Sequence, residues 1–281
     1  MTKTITMNLL SGLLSAQSKY IWLSASPLTI ELELAAFDAN LQAGINYSGT
    51  FEIRNVVLLA DMVQIDPGLL NSYTRHLEAG GSLSYPFQTW STVVHAIANP
   101  LEFSINQSRA FSRLDTVFVS FAKAYAAGAS PVDAITTTVA DVTFFNGISN
   151  AAPVELGTAV GLTDTMECFL ALGPTRMPHY PAQKACEHYF RYLQALGKTN
   201  SDVHVPGVSM KRWRYDSMVL ATDLEKAHPG SGAEWSGVST RGGDLLTIFC
   251  KNAPAGTIRA YVSCHFTVIA RVSKSGCDLV D

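Results

Sequence analysis

Seven histidines, His76, His95, His179, His188, His204, His228 and His265, are the side chains of this sequence best suited to bind a metal or move a proton near neutral pH. A zinc-binding hydrolase helix needs two imidazoles one turn apart so that both reach one ion, and none of the seven has such a partner. His265 stands alone on its alternating stretch, where a cupin-type strand presents two histidines two residues apart with a carboxylate; it reads as a polar-face imidazole in a sheet. Five cysteines, Cys168, Cys186, Cys250, Cys264 and Cys277, form no C-x-x-C pair and are odd in number, so they read as free thiols filling small apolar sites in a reducing compartment. Gly230-Ser231-Gly232 and Gly242-Gly243 lack the Lys-Ser/Thr flank of a phosphate loop and read as turns. With no G-x-S-x-G elbow either, the sequence predicts no catalytic residue, no metal ligand and no cofactor.

One cluster invites a binding reading. Lys211-Arg212-Trp213-Arg214-Tyr215 interleaves cations with aromatics, a pattern that can stack bases and neutralise phosphates. The chain as a whole is net acidic, 20 − 23 = −3, which argues against sequence-specific nucleic-acid binding and for a loop or strand edge whose Trp and Arg pack on a neighbour. A second use of the same aromatics, with Trp213, Tyr215 and Trp235 as stacking platforms of a carbohydrate-binding module, is the main alternative. A hydrolase has no specific residue in its favour.

The elements that must position these residues are mostly strands. Only 15% of residues are charged and 47% are hydrophobic, against ~25% charged in an ordinary soluble domain, so the chain is not disordered and has much surface to bury within itself or under other chains. No run approaches the ~18 apolar residues of a membrane-spanning helix, and the apolar stretch near the start is broken at Ser11-Gly12. Leu28-Thr29-Ile30-Glu31-Leu32-Glu33-Leu34 alternates as a half-buried strand, and 51–65 continues as a β-branched stretch, so the two read as neighbouring strands. Asp66-Pro67 starts a helix that Gly80-Gly81 ends. The β pattern resumes over 83–97 and 101–121, the Ala/Gly/Ser/Thr-rich stretch 122–162 reads as long loops, and 182–196 is a second helix with Ala185, Cys186, Tyr189, Phe190, Leu193 and Leu196 on its apolar side. Strands over 215–220, 244–250 and 258–272 complete a chain that predicts an all-β fold with a few short helices, a sandwich or jelly roll.

The order of several segments carries more information than any one motif. They include Leu13-Leu14-Ser15, Leu28 to Leu34, Asp61-Met62-Val63-Gln64-Ile65-Asp66, Leu70-Asn71-Ser72-Tyr73 and His76-Leu77. Next come Ser108-Arg109-Ala110-Phe111-Ser112-Arg113-Leu114 with Val117-Phe118-Val119, then Tyr180-Pro181, Glu187, Tyr189-Phe190 and Leu196-Gly197. The tail adds Asp223-Leu224-Glu225-Lys226, Gly237 to Arg241, Gly243-Asp244-Leu245-Leu246-Thr247-Ile248, Lys251-Asn252 and Gly276-Cys277-Asp278-Leu279-Val280-Asp281. Together, over about residues 13 to 281, they resemble the major capsid protein of polinton-type and adintovirus-like double-stranded DNA viruses, a family that builds a double jelly roll.

The resemblance begins late in the first of the family's two rolls. It implies an amino-terminally truncated chain: 1–66 a remnant of the first jelly roll, 67–81 a connector helix and 82–281 a complete second roll. Strands from Leu28 to Ile65 would then lack sheet partners. It further implies a structural, non-enzymatic protein that forms trimeric capsomers of an icosahedral shell, found in the virion and assembled inside the host cell. Its partners would be copies of itself and a minor penton protein. Arg109 and Arg113 fall in the second roll's early strands, in ion pairs or hydrogen bonds to carbonyls at its edge. Asp223, Glu225 and Lys226 occupy the family's acidic-plus-Lys motif at a strand end, in a structural hydrogen-bonding role. Trp235, Asp244 and Asn252 fix turns and strand ends, since Asn and Asp bond locally to backbone.

Overall fold

The computed structural model describes residues 6, 12–15, 20–24, 27–32, 53–123, 166–197, 207–216, 218–225, 237–243, 245–253 and 257–280. Among them are strands β1 (Leu83–Ala96), β2 (Glu102–Gln107), β3 (Leu114–Lys123), β4 (Glu167–Leu172), β5 (Thr175–Ala182), β6 (Val219–Asp223), β7 (Leu246–Lys251), β8 (Thr257–Ser273) and β9 (Gly276–Val280). Four short helices accompany them: α1 (Gly12–Ser15), α2 (Pro67–Glu78), α3 (Ala185–Ala195) and α4 (Met210–Asp216).

Alternation in sequence becomes alternation in burial. In β8, Ala260, Val262, Cys264, Phe266, Val268, Ala270 and Val272 are buried, while Arg259 and Arg271 between and beside them are exposed. One sheet runs β1-β8-β3-β6, with β9 paired to β8, and the other runs β2-β7-β4-β5. Successive strands therefore change sheets, apart from the β4–β5 and β8–β9 hairpins, and the eight strands other than β9, shared out this way, make a jelly-roll sandwich. The fold is mostly β-sheet with a few short helices. Phe103 of β2 meets Phe121 of β3 edge-on at 6.2 Å, an apolar contact between the two sheets.

By compactness the chain divides into Met1–Leu41, Asn46–Thr89 and Thr267–Asp281 as one unit, and Gln42–Ile45 and Trp90–Phe266 as the other. In the first, Tyr85, Ala270 and Val272 form a small core against Leu13, Leu83 and Phe87. Burial pushes the Tyr85 phenol up, partly offset by a backbone hydrogen bond at Trp22. Helix α2 starts where Asp66 accepts a hydrogen bond from the Gly68 N–H at 2.8 Å and Pro67 needs no partner for an N–H it lacks. The chain leaves it through Gly80 at φ +85°, a backbone state that glycine adopts without strain. The second unit holds the β2-β7-β4-β5 sheet with β3 and β6.

Several sequence expectations are corrected. The described residues 27–32 and 53–65 form no strand and are mostly exposed, because alternation makes a strand only where another strand completes its ladder. Tyr215, expected to open a strand, lies in α4, and the strand begins at Val219. In α3 the buried residues are Ala185 and His188; Cys186, Phe190 and Leu196, expected on the apolar side, are exposed. The reason is a polar residue taking a core position: His188 Nε2 lies 2.9 Å from the Met166 carbonyl, which satisfies the buried ring. The stretch 122–162 lies outside the described residues apart from positions 122 and 123, which end β3.

Candidate functional site

Arg109, Arg113, Asp223 and Glu225 lie around the connection between β2 and β3 and the start of β3, whereas Asn252 lies at the other end of β2. Arg109 and Arg113 lie in this connection, outside the strands in which the sequence placed them, because β2 ends at Gln107 and β3 begins at Leu114. The Arg109 guanidinium lies 4.5 Å from the Phe266 ring centroid and 5.4 Å from that of Phe111. The two rings are themselves 4.8 Å apart, so the cation meets the negative faces of a buried aromatic pair. Arg113 is half-buried four residues on.

A segment that sequence reasoning undervalued locks this connection. The Phe111 N–H donates to Thr240 Oγ1 at 2.7 Å, and the Thr240 N–H donates to the Phe111 carbonyl at 2.8 Å. Leu114 and Val238 exchange backbone hydrogen bonds at 2.9 Å in each direction. Gly237, at φ +100°, sits so close that a Cβ there would lie 2.7 Å from Asp115 Oδ1. The available signal was a Gly followed by a short β-prone run, Gly237-Val238-Ser239-Thr240, which resembles an ordinary loop in sequence.

Asp115 also joins the acidic motif. It is buried, and its carbonyl accepts the Leu224 N–H at 2.9 Å, while Asp223 Oδ1 accepts the Glu225 N–H at 2.9 Å. Burial pushes the Glu225 carboxyl up, and the neighbouring Asp223 and Asp115 charges push it the same way. Asn252 follows β7 in the left-handed region at φ +53°, its N–H donating to the Leu101 carbonyl at 2.9 Å. Lys226, Asp244 and Trp235 lie outside the described residues. The arrangement consists of backbone-directed hydrogen bonds, an aromatic pair under a cation and repelling carboxylates. It fixes chain crossings.

The aromatic–cationic cluster is a helix with its tryptophan turned inward. Trp213 is wholly buried, donates from Nε1 to the Val219 carbonyl at 3.1 Å and packs against Tyr189 at 5.6 Å and Tyr192 at 6.3 Å. It cannot stack a base or a sugar. A cavity of about 340 Å³ lies beside it, lined among the described residues by Lys184, Ala185, Cys186, Met210 and Arg214, two of them cations. His265 packs its ring 4.5 Å from Trp90, and burial pulls its pKa down. Among the described residues no three His, Cys, Asp or Glu side chains gather to hold a metal, and no helix is long and apolar enough to cross a membrane.

No protein-family model matches the chain, and no curated protein matches it. Among solved structures it is similar to the PBCV-1 virus capsid, with TM-score 0.45 and 10% identity, over 75% of this chain and 54% of that one. PBCV-1 VP54, fitted into a reconstruction of the virophage Sputnik, gives TM-score 0.44 and 11% identity over 75% and 54%. The Faustovirus major capsid protein gives 0.42 and 8% over 74% and 36%. The chain thus spans about half, or less, of the length of these proteins. Its assignment as a jelly roll rests on its own strand order.

Proposed function

We propose that this chain is a major capsid protein of the double jelly-roll type, a non-enzymatic brick that trimerises into capsomers of an icosahedral double-stranded DNA virus or integrated viral element. The observation that carries the reading is a jelly-roll strand order combined with large apolar side chains left in water. Trp90 and Val94, each 51% exposed, project from β1, and Leu59 and Met62 of the extended stretch are 87% and 76% exposed. A lone soluble domain gains nothing from such exposure, whereas a chain tiled against copies of itself buries it. The low charged fraction, 15%, fits the same arrangement.

The ordered segments shared with polinton-type and adintovirus-like capsid proteins support this specific kinship. On that reading residues 1–66 are the remnant of a first roll, 67–81 the connector and 82–281 the second roll. The partners are copies of the chain and a minor penton protein, and the location is the virion, assembled inside the host cell. Arg109, Arg113, Asp223, Glu225, Lys226, Asp244 and Asn252 then serve as structural fasteners. The carbohydrate-binding alternative loses its main platform, because Trp213 is buried.

Sedimentation equilibrium of the purified chain over a range of concentrations tests the proposal. Trimers support it. Monomers up to the highest soluble concentration overturn it.

A further inference from the structure

Two of the five cysteines share a site that the capsid reading does not use. Cys168 of β4 and Cys250 of β7 are direct partners in an antiparallel ladder, with their sulfurs 3.2 Å apart and the side chains 9% and 1% exposed. We propose that Cys168 and Cys250 form a redox pair, which hydrogen peroxide closes into a disulfide that staples β4 to β7.

The backbone already meets the requirement. Directly opposed residues on antiparallel strands have Cα atoms about 4.5 or 5.5 Å apart, according to pair type. Both distances lie inside the ~4.4–6.8 Å window for a disulfide. The sulfurs must close from 3.2 Å to about 2.05 Å, which rotation about the side-chain bonds can supply. Register is held by the next pair along, Phe169 and Phe249, whose rings stack at 5.0 Å and 15° on the opposite face of the same two strands. Cys264 lies in the other sheet, while Cys186 and Cys277 are exposed and lie outside this ladder.

The chemistry balances with peroxide as the only co-reactant. Cys168, the more exposed of the two, is the sulfur that peroxide reaches first and so the attacking one, while contact with Cys168, reinforced by burial, pushes the Cys250 pKa up and keeps its proton in place for the second step. Its thiolate attacks one peroxide oxygen, the O–O bond breaks, and hydroxide leaves a sulfenic acid on Cys168. The Cys250 sulfur then attacks that sulfur, the S–O bond breaks, the S–S bond forms, and the departing oxygen takes the Cys250 proton to leave as water. Two thiols and one peroxide yield one disulfide and two waters. Each sulfur loses one electron, and peroxide gains two.

The test treats the folded chain with hydrogen peroxide, alkylates the remaining thiols in denaturant without reductant, and maps protease peptides by mass spectrometry. The expected product is a peptide pair joined through Cys168 and Cys250, about 2 Da lighter than its two thiol peptides together and lost on reduction. The variant Cys186→Ser/Cys277→Ser, which leaves the pair intact, should give the same product in the same yield. It should also melt at higher temperature oxidised than reduced. Recovery of Cys168 and Cys250 as separate alkylated or sulfinic peptides overturns the proposal. So does a link that forms only when peroxide is added to the unfolded chain.

Discussion

Replacing Trp213 separates a buried structural tryptophan from a ligand platform. The indole is wholly buried against Tyr189 and Tyr192, and Nε1 donates to Val219, the first residue of β6. An aromatic side chain of this kind removes roughly 150–250 Å² from water, and at about 25 cal/mol/Å² that is worth ~4–6 kcal/mol. Large-to-small substitutions of buried aromatics cost ~3–5 kcal/mol in practice. Trp213→Ala is therefore expected to lose about 4 kcal/mol, a large part of the ~5–15 kcal/mol by which domains are stable. Trp213→Phe keeps most of the apolar area but leaves the Val219 carbonyl without its donor, at a cost of about 1–3 kcal/mol. Urea unfolding followed by circular dichroism reads both variants. With a slope of about 3 kcal/mol/M, the alanine variant's midpoint should fall by about 1.3 M and the phenylalanine variant's by about 0.3–1 M. An alanine variant unfolding within about 0.5 kcal/mol of wild type, while losing affinity for a glycan, would refute the reasoning.

Three further outcomes are expected. Gly237→Ala should cost about 1–3 kcal/mol, because φ +100° strains any side chain and the new methyl would meet Asp115. Gly242→Ala, where a Cβ would meet nothing within 4 Å, should stay within ~0.5 kcal/mol in the same urea titration. A double-mutant cycle of Arg109→Met with Phe266→Leu should give a coupling of about 0.5–1 kcal/mol from the cation over the ring. Burial pulls the His188 pKa below the ordinary 6.5, so the unfolded chain binds its proton first and stability falls as pH drops from 6.5 through the folded value. His265 shifts in the same direction, and the combined His188→Gln/His265→Gln variant should show a flatter unfolding midpoint between pH 7.5 and 5.5 than wild type.

The residues from Leu83 onward made their strands legible because each buries one face, so β8 announces itself by strict alternation. Helix α2 was equally readable, since its cap and its glycine exit are local chemistry. Elsewhere tertiary partners decided the outcome. Leu28 to Leu32 alternates as cleanly as β8, yet it pairs with no strand among the described residues. The β4–β5 hairpin went unread for the opposite reason: a register shift and the prolines Pro178 and Pro181, tolerated on an edge strand, break its pattern, although Gly173-Pro174 marked its turn. The face of α3 was misjudged because a hydrogen bond to Met166 makes His188 a core residue, which hydropathy alone cannot show. Of the candidate fasteners, Arg109 was identified without its partners, since the nearness of Phe266 is a contact across more than 150 residues of sequence. Asp115 carries no local signature, and the run Gly237 to Thr240 does not show in sequence that it locks onto Phe111 and Leu114.

Electron microscopy of the concentrated chain tests the central claim most directly. A brick that tiles with its own copies should give three-fold particles that associate into flat or curved arrays, with Trp90→Glu and Val94→Glu dispersing them while the fold is retained. Uniform single-chain particles, unchanged by those substitutions at every concentration, would contradict it.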